Sequence, residues 1–182
     1  GLGDVYKRQV RELNVHRVDL SGTVERLDIG AAGGLARHEK GAVALSTFNH
    51  SGPARWKRYR GGTASRLWLQ REGKWERLLR DEAAALVDPM WIGDTLCFVS
   101  DRGDVWPGAA TDQANIWALD VLAGETTPRQ ITHHGVDDGY VRDATTDGTR
   151  IIYSCRGELY VLDALDAAPR RLSIELPGID TP

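Results

Sequence analysis

Arginine and aromatic residues alternate in Trp56-Lys57-Arg58-Tyr59-Arg60-Gly61-Gly62-Thr63, the stretch of this chain with the strongest chemical character for its length. If the segment is extended, alternation sets Arg58 and Arg60 on one side of it. Two guanidinium groups so placed could clamp a carboxylate bidentately. The same arginines could instead stack on Trp56 or Tyr59 and pair with an Asp of neighbouring structure, which makes the stretch a clasp. Both readings stand at this level. Gly61 and Gly62 let the chain double back into the apolar strand Leu67-Trp68-Leu69. Arg102 and Trp106 lie in a second polar stretch, Asp101–Gln113. Arg58, Arg60, Arg102 and Trp106 are the candidate substrate-binding residues; Trp56, Tyr59, Gly61 and Gly62 are the candidate structural residues of the loop.

Other reactive residue types fall into weaker patterns. His133-His134 with Asp137-Asp138 gathers borderline and hard metal ligands within six residues. Neighbouring side chains at a strand end point oppositely, so the two histidines do not easily share one ion, and no metal is expected. Nucleophilic catalysis needs a base held against the nucleophile, and the order of Ser154 and the five histidines implies no such pair. No catalytic residue is expected in this chain. Gly30-Ala31-Ala32-Gly33-Gly34 lacks the strand-to-helix setting and the Lys of a phosphate-cradling loop, so no nucleotide cofactor is expected either. Cys97 and Cys155 read as small buried apolar residues, a usage that fits a reducing compartment.

These residues must be positioned by strands. Apolar and aromatic runs of about five residues recur between Gly, Asp, Pro and Asn, and no window carries a helical stripe. Asp81–Leu86 is the best helical candidate, but it is short and Pro89 follows, so it reads as loop or a single turn. Leu67-Trp68-Leu69, Ile116-Trp117-Ala118 and Leu159-Tyr160-Val161 are similar strands in similar settings. Residues 67, 116 and 159 are separated by 49 and 43 residues. A four-strand unit of that period is the signature of a β-propeller blade, which buries its faces only by stacking on neighbours. The expected fold is all-β. It comprises three complete four-stranded antiparallel blades, over residues 30–82, 83–135 and 136–176, after two strands of a preceding blade in residues 10–29. Residues 1–9 fit no periodicity and read as a tail foreign to the fold; residues 177–182 read as a truncated linker. A β-sandwich made of the same strands is the alternative fold.

Antiparallel order assigns the loops to faces. The first-to-second and third-to-fourth strand turns are short: Lys40-Gly41, Gly93-Asp94, Asp147-Gly148, Gly73 and Ala123-Gly124. The long segments, 48–65, 101–113 and 133–139, all leave the opposite face, where function usually sits. In the third unit the equivalent of the first two is only Arg156-Gly157, so those two are insertions on a common plan.

The 182 residues carry a net charge of −3 with a pI near 6.0, which gives no electrostatic case for nucleic acid or anionic membrane. No apolar run approaches the ~18 residues of a membrane helix, and no signal peptide is visible.

Three segments together resemble the tricorn protease family: Trp56–Gln70 (WKRYRGGTASRLWLQ), Gly93–Gly103 (GDTLCFVSDRG) and Thr146–Asp163 (TDGTRIIYSCRGELYVLD). The likeness runs in order from about His16 to Leu176 and points to the second half of the N-terminal six-bladed propeller. It implies a fragment of a large cytoplasmic serine peptidase that trims short peptides, assembles into homo-oligomers and uses its propellers to filter peptide access. Its catalytic residues would lie in domains outside this chain, and its partners would be peptide substrates and the other domains of the same chain. Asp104–Gln113 is longer than the corresponding family hairpin. The competing expectations are a stand-alone or periplasmic propeller that binds a protein partner, and a polysaccharide-active propeller enzyme.

Overall fold

The computed structural model describes residues 14–47, 59–103 and 113–174. Trp56, Arg58 and Trp106 lie outside the described residues, as do the terminal segments 1–9 and 177–182.

The chain divides into two units, 1–32 and 33–182. The first holds an antiparallel hairpin of β1 (Val15–Val18) and β2 (Val24–Leu27). Its turn is organised by Asp19, whose Oδ1 accepts from the Ser21 and Thr23 amides at 2.9 Å each and from Ser21 Oγ at 2.6 Å. Such local carboxylate-to-amide bonds favour the turn over continued strand.

The second unit is built from three four-stranded antiparallel sheets, each in simple sequence order. The first contains β3 (Ala32–Arg37), β4 (Val43–Thr47), β5 (Leu67–Arg71) and β6 (Lys74–Arg77). In the second are β7 (Leu86–Ile92), β8 (Thr95–Ser100), β9 (Asn115–Leu119) and β10 (Arg129–Gln130). The third has β11 (Val141–Thr146), β12 (Ile151–Cys155), β13 (Glu158–Leu162) and β14 (Arg170–Arg171). The protein is thus a partial β-propeller: three complete antiparallel blades, preceded by two strands. The helical content among the described residues is one 3₁₀ turn, Val121–Ala123, closed by Gly124 in the left-handed conformation.

Period-2 alternation decides the packing. At each of the two junctions between blades, the earlier blade contributes small or aliphatic side chains and the later blade contributes the aromatic ones. At the first junction Ala42, Ala44, Leu67 and Leu69 meet Trp91, Leu96, Phe98, Trp117 and Leu119. At the second, Cys97, Val99, Ile116 and Ala118 meet Ile151, Tyr153, Cys155 and Leu162, with Tyr160 packed against them. Phe98 and Ile116 are fully buried; burying side chains of this size contributes about 1.5–3 kcal/mol each. The middle blade is therefore covered on both faces, and all five residues of β9 are buried. One backbone bond recurs at the two seams. Leu86 N donates to Ser65 O, and Val141 N donates to Ala114 O, both at 3.1 Å. Each joins the start of one blade to the residues leading into the third strand of the blade before.

The innermost strands of the second and third blades share an irregularity. Register shifts between Val87 and Met90 in β7 and between Arg142 and Thr145 in β11. Asp88 and Asp143 sit at these bulges with φ of 49° and 52°. Asp tolerates the left-handed region better than most side chains.

Candidate functional site

The long-loop side of the first seam gathers the distinctive sequence. Arg60 precedes the bend at Gly61, and its guanidinium crosses to the second blade. Nη1 donates to Asp101 Oδ1 at 3.1 Å, and Nη2 donates to the Asp101 carbonyl at 2.7 Å. Asp101 is 3% exposed, so its carboxylate is held almost wholly by protein. A buried carboxylate is tolerable only with such partners.

The second blade returns the contact. Arg102, the next residue, sends Nε to Glu82 Oε2 of the first blade at 3.3 Å. Its guanidinium carbon lies 4.9 Å from the centroid of the Trp117 ring, a cation–π contact with a core residue. Glu82 is fixed in turn, since its Oε1 accepts from Ala84 N at 2.8 Å. Two ion pairs therefore cross one seam in opposite directions. Each blade supplies one arginine and one carboxylate, so sliding either blade strains both pairs.

The bend that aims Arg60 has its own logic. The Tyr59 ring folds back over Gly61 so closely that a Cβ there would overlap the phenol. Thr63 Oγ1 donates to Tyr59 Oη at 2.9 Å, and Ala64 N donates to Gly61 O at 3.0 Å. Tyr-Arg-Gly-Gly-Thr is then one device: the tyrosine holds the turn, the first glycine makes room, and the arginine between them leaves toward the neighbouring blade.

At the second seam the same face is organised by a neutral network. Asn115 is 1% exposed and makes four hydrogen bonds. Its Oδ1 accepts from His134 N at 2.8 Å and Thr132 Oγ1 at 2.9 Å. Its Nδ2 donates to His134 O at 3.1 Å and Gln113 O at 3.3 Å. His134 Nε2 lies 2.8 Å from Tyr153 Oη, and its ring meets Tyr153 and Tyr160 edge-on at 5.6 and 5.4 Å. Burial pushes the His134 pKa below the ordinary imidazole value, and burial pushes Tyr153 above the usual phenol range. Both shifts favour the neutral forms at pH 7, so the His134–Tyr153 contact joins two neutral groups. His133 points outward and is exposed, while Asp138 turns back to accept from Gly135 N at 2.8 Å. Among the described residues no group of three His, Cys, Asp or Glu side chains is gathered for a metal. Ser154 donates to the Arg142 carbonyl at 3.2 Å.

The opposite face carries an open groove of about 850 Å³ between the short turns of the first two blades. Several of its charged residues have partners: Lys40 Nζ pairs with Asp94 of the next blade at 2.8 Å, Arg71 with Glu76 at 2.5 Å, and Asp120 with Thr95 Oγ1 at 2.5 Å. His38, 2% exposed, sits behind this turn, with Nε2 3.1 Å from Gly93 O and Nδ1 accepting from Lys40 N.

Of the sequence-nominated residues, Arg60 and Arg102 come together across one seam, 34% and 21% exposed, and both are engaged with acidic residues of the adjoining blade. Tyr59, Gly61 and Gly62 form the turn beneath them. Sequence reasoning passed over Glu82, Asn115 and His38. Glu82 lies in an alanine-rich stretch that reads as loop, and Asn115 is a lone amide at a strand start. Only the distant partners that the fold brings to them show their roles.

The family model described as the tricorn protease N-terminal beta propeller domain matches residues 4–168. A tricorn protease homolog 1 of Streptomyces coelicolor is 39% identical over 160 residues, covering 86% of this chain and 14% of that protein. A putative tricorn protease homolog 2 of the same organism is 41% identical over 128 residues, covering 69% and 10%. The crystal structure of the tricorn protease superposes with a TM-score of 0.70 at 24% identity, over 91% of this chain and 15% of that one. The chain thus spans about one seventh of the length of the first of these relatives.

Proposed function

The chain belongs to the family of tricorn protease N-terminal β-propeller domains, and we propose that it serves as scaffold and peptide-admitting module of a cytoplasmic serine peptidase, with no catalysis of its own. The observation that carries this reading is the reciprocal clasp, Arg60 to Asp101 and Arg102 to Glu82. It ties together residues 59–65 and 101–103, the described ends of the two insertions read in the sequence. Rigid elements beneath variable loops are what a selective entrance needs. Arg60 acts here as a positioning residue, since its guanidinium is committed to Asp101 rather than offered to a substrate carboxylate. In the full peptidase the remaining blades and the catalytic domains are the partners of this chain, within a homo-oligomer.

The test is steady-state kinetics of the peptidase carrying this domain, with Arg60→Ala and Asp101→Ala, on short peptides. Loosened loop roots should raise KM several-fold and leave kcat near its original value, because binding is lost and the chemical step is not. Unchanged KM in well-folded variants overturns the admitting role and leaves a scaffold alone. The isolated chain should show no peptide turnover.

A further inference from the structure

His38 opens the turn between β3 and β4 on the short-turn side of the first seam, where its side chain is almost wholly buried. Its backbone serves its own turn: His38 N donates to Ala42 O at 2.8 Å, and Gly41 N donates to His38 O at 2.9 Å. Its ring serves both blades. Nδ1 accepts from Lys40 N at 3.1 Å, in the same turn. Nε2 lies 3.1 Å from Gly93 O and 3.0 Å from Asp94 Oδ1, both in the turn between β7 and β8. The ring meets Trp91 edge-on at 4.7 Å. A donor on one side and two acceptors on the other leave one arrangement for the neutral imidazole, with its proton on Nε2. The charged groups around it are Asp94 from the second blade and, on its own turn, Lys40 and Glu39, all exposed. Arg71, Glu72 and Asp120 border the groove beyond them. Lys40 Nζ holds Asp94 Oδ2 at 2.8 Å, so the carboxylate offers one oxygen to the ammonium and the other to the ring.

We propose that His38 is a proton-driven switch, which trades a hydrogen bond within the first blade for an ion pair to the second. A doubly protonated imidazole donates from both nitrogens and accepts at neither. The second proton lands on Nδ1, where it faces the Lys40 N–H, so that hydrogen bond is lost. Lys40 is exposed, and its released amide turns to water. On the other side, Nε2–H becomes a charged donor to a charged carboxylate, the stronger form of this bond. The Lys40 hydrogen bond lowers the Asp94 pKa from its ordinary value, so this carboxylate is ionised throughout the range in which an imidazole titrates. As pH falls through that range, the turn at 38–42 loosens and the link to Asp94 tightens. Lys40, Gly41 and Ala42 line the groove of about 850 Å³ on this face, so the switch alters one of its walls.

The experiment is proton–nitrogen NMR of the isotopically labelled 182-residue chain, following the His38 ring and the Lys40 amide from about pH 8 to about pH 5. At the alkaline end the ring proton should sit on Nε2. As the ring takes up its second proton, the Lys40 amide should shift with the same midpoint. A proton on Nδ1 at the alkaline end, a ring that stays singly protonated to the acid end, or a Lys40 amide that ignores the ring each overturns the switch. His38→Gln should abolish the Lys40 response over this range; a response that persists belongs to another group and overturns the assignment. Asp94→Asn should lower the midpoint of the ring, since the charge that favours the imidazolium is gone. An unchanged midpoint overturns the ion-pair half of the trade. The parent chain alone decides the tautomer and the coupling to Lys40 if either variant folds poorly.

Discussion

The two seams of this partial propeller solve one packing problem with different chemistry. At the first, Trp91, Phe98 and Trp117 lie against the small residues of β4 and the leucines of β5, and paired charges cross on both faces. At the second, Tyr153 and Tyr160 lie against Cys97, Val99 and Ile116, and the crossings from Tyr153 to His134 and from Val141 N to Ala114 O are neutral. The backbone bond that opens each blade is the same in both. The repeat therefore fixes the main chain and the large-on-small rule, while the polar residues at the rim are free to differ. A seam clasped by ions should respond to partner removal and to salt, whereas one filled with tyrosine and histidine should respond to pH.

The largest expected effect is on the core of the first seam. Trp117→Ala should cost about 3–5 kcal/mol in urea unfolding, because it removes a buried ring and its bond from Nε1 to Ser100 O at 3.2 Å. It should also free Arg102, which rests on that ring. A cost under about 1 kcal/mol would mean that the aromatic layer does not hold the first two blades together.

Next is the Tyr59 turn. Gly61→Ala should cost about 1–2 kcal/mol by pushing the phenol off its seat. Adding Tyr59→Ala should return much of that loss, since the obstacle is then gone. A glycine variant equally destabilised with and without the tyrosine would break the account of the motif.

At the second seam Tyr153→Phe should cost about 1 kcal/mol, leaving a half-buried imidazole nitrogen without its hydrogen-bond partner. The His134 contribution also has a defined sign. Its folded pKa lies below the unfolded value of 6.5, so the unfolded chain takes up the proton first on acidification. The stabilisation is complete above that range and is lost as pH falls through the folded value. In paired melts at pH 5 and 7.5, His134→Gln should therefore show a smaller acid loss than the parent. An identical acid loss in the two chains would place the pH response elsewhere.

Much of this architecture is legible in the residues. Asp147-Gly148 and Arg156-Gly157 each mark a hairpin, and at Arg156-Gly157 φ of 52° and 81° is what a two-residue turn between twisted strands demands. Trp68, Trp117 and Tyr160 stand at matching register opposite Leu45, Phe98 and Tyr153, so the period seen along the chain is the period of the sheets. Strand ends are less legible. Arg170–Ile174 reads as a full strand but only Arg170–Arg171 pairs, because outer-strand pairing depends on a neighbour that no local pattern encodes. The 3₁₀ turn at Val121–Ala123 is likewise hidden in an apolar run that reads as strand and turn. At the candidate site, the Arg and aromatic alternation marks where to look but leaves clamp and clasp open. The choice for Arg60 depends on Asp101, 41 residues away, and on the buried environment that the next blade makes for it. Glu82 has no local signal at all, since its partner is the residue beside Asp101.

The most direct test of the clasp is a double-mutant cycle on Arg60 and Asp101, with stability measured by urea unfolding of the chain. Arg60→Ala and Asp101→Ala should each destabilise, and the double variant should lose less than the sum. The predicted coupling is about 1–3 kcal/mol, the range for hydrogen-bonded charges with one partner buried, and it should shrink modestly in high salt. Additive losses, with a coupling near zero, would show that Arg60 and Asp101 do not hold each other. The arginine would then be available to a ligand, and the clasp would no longer explain how the first seam is held.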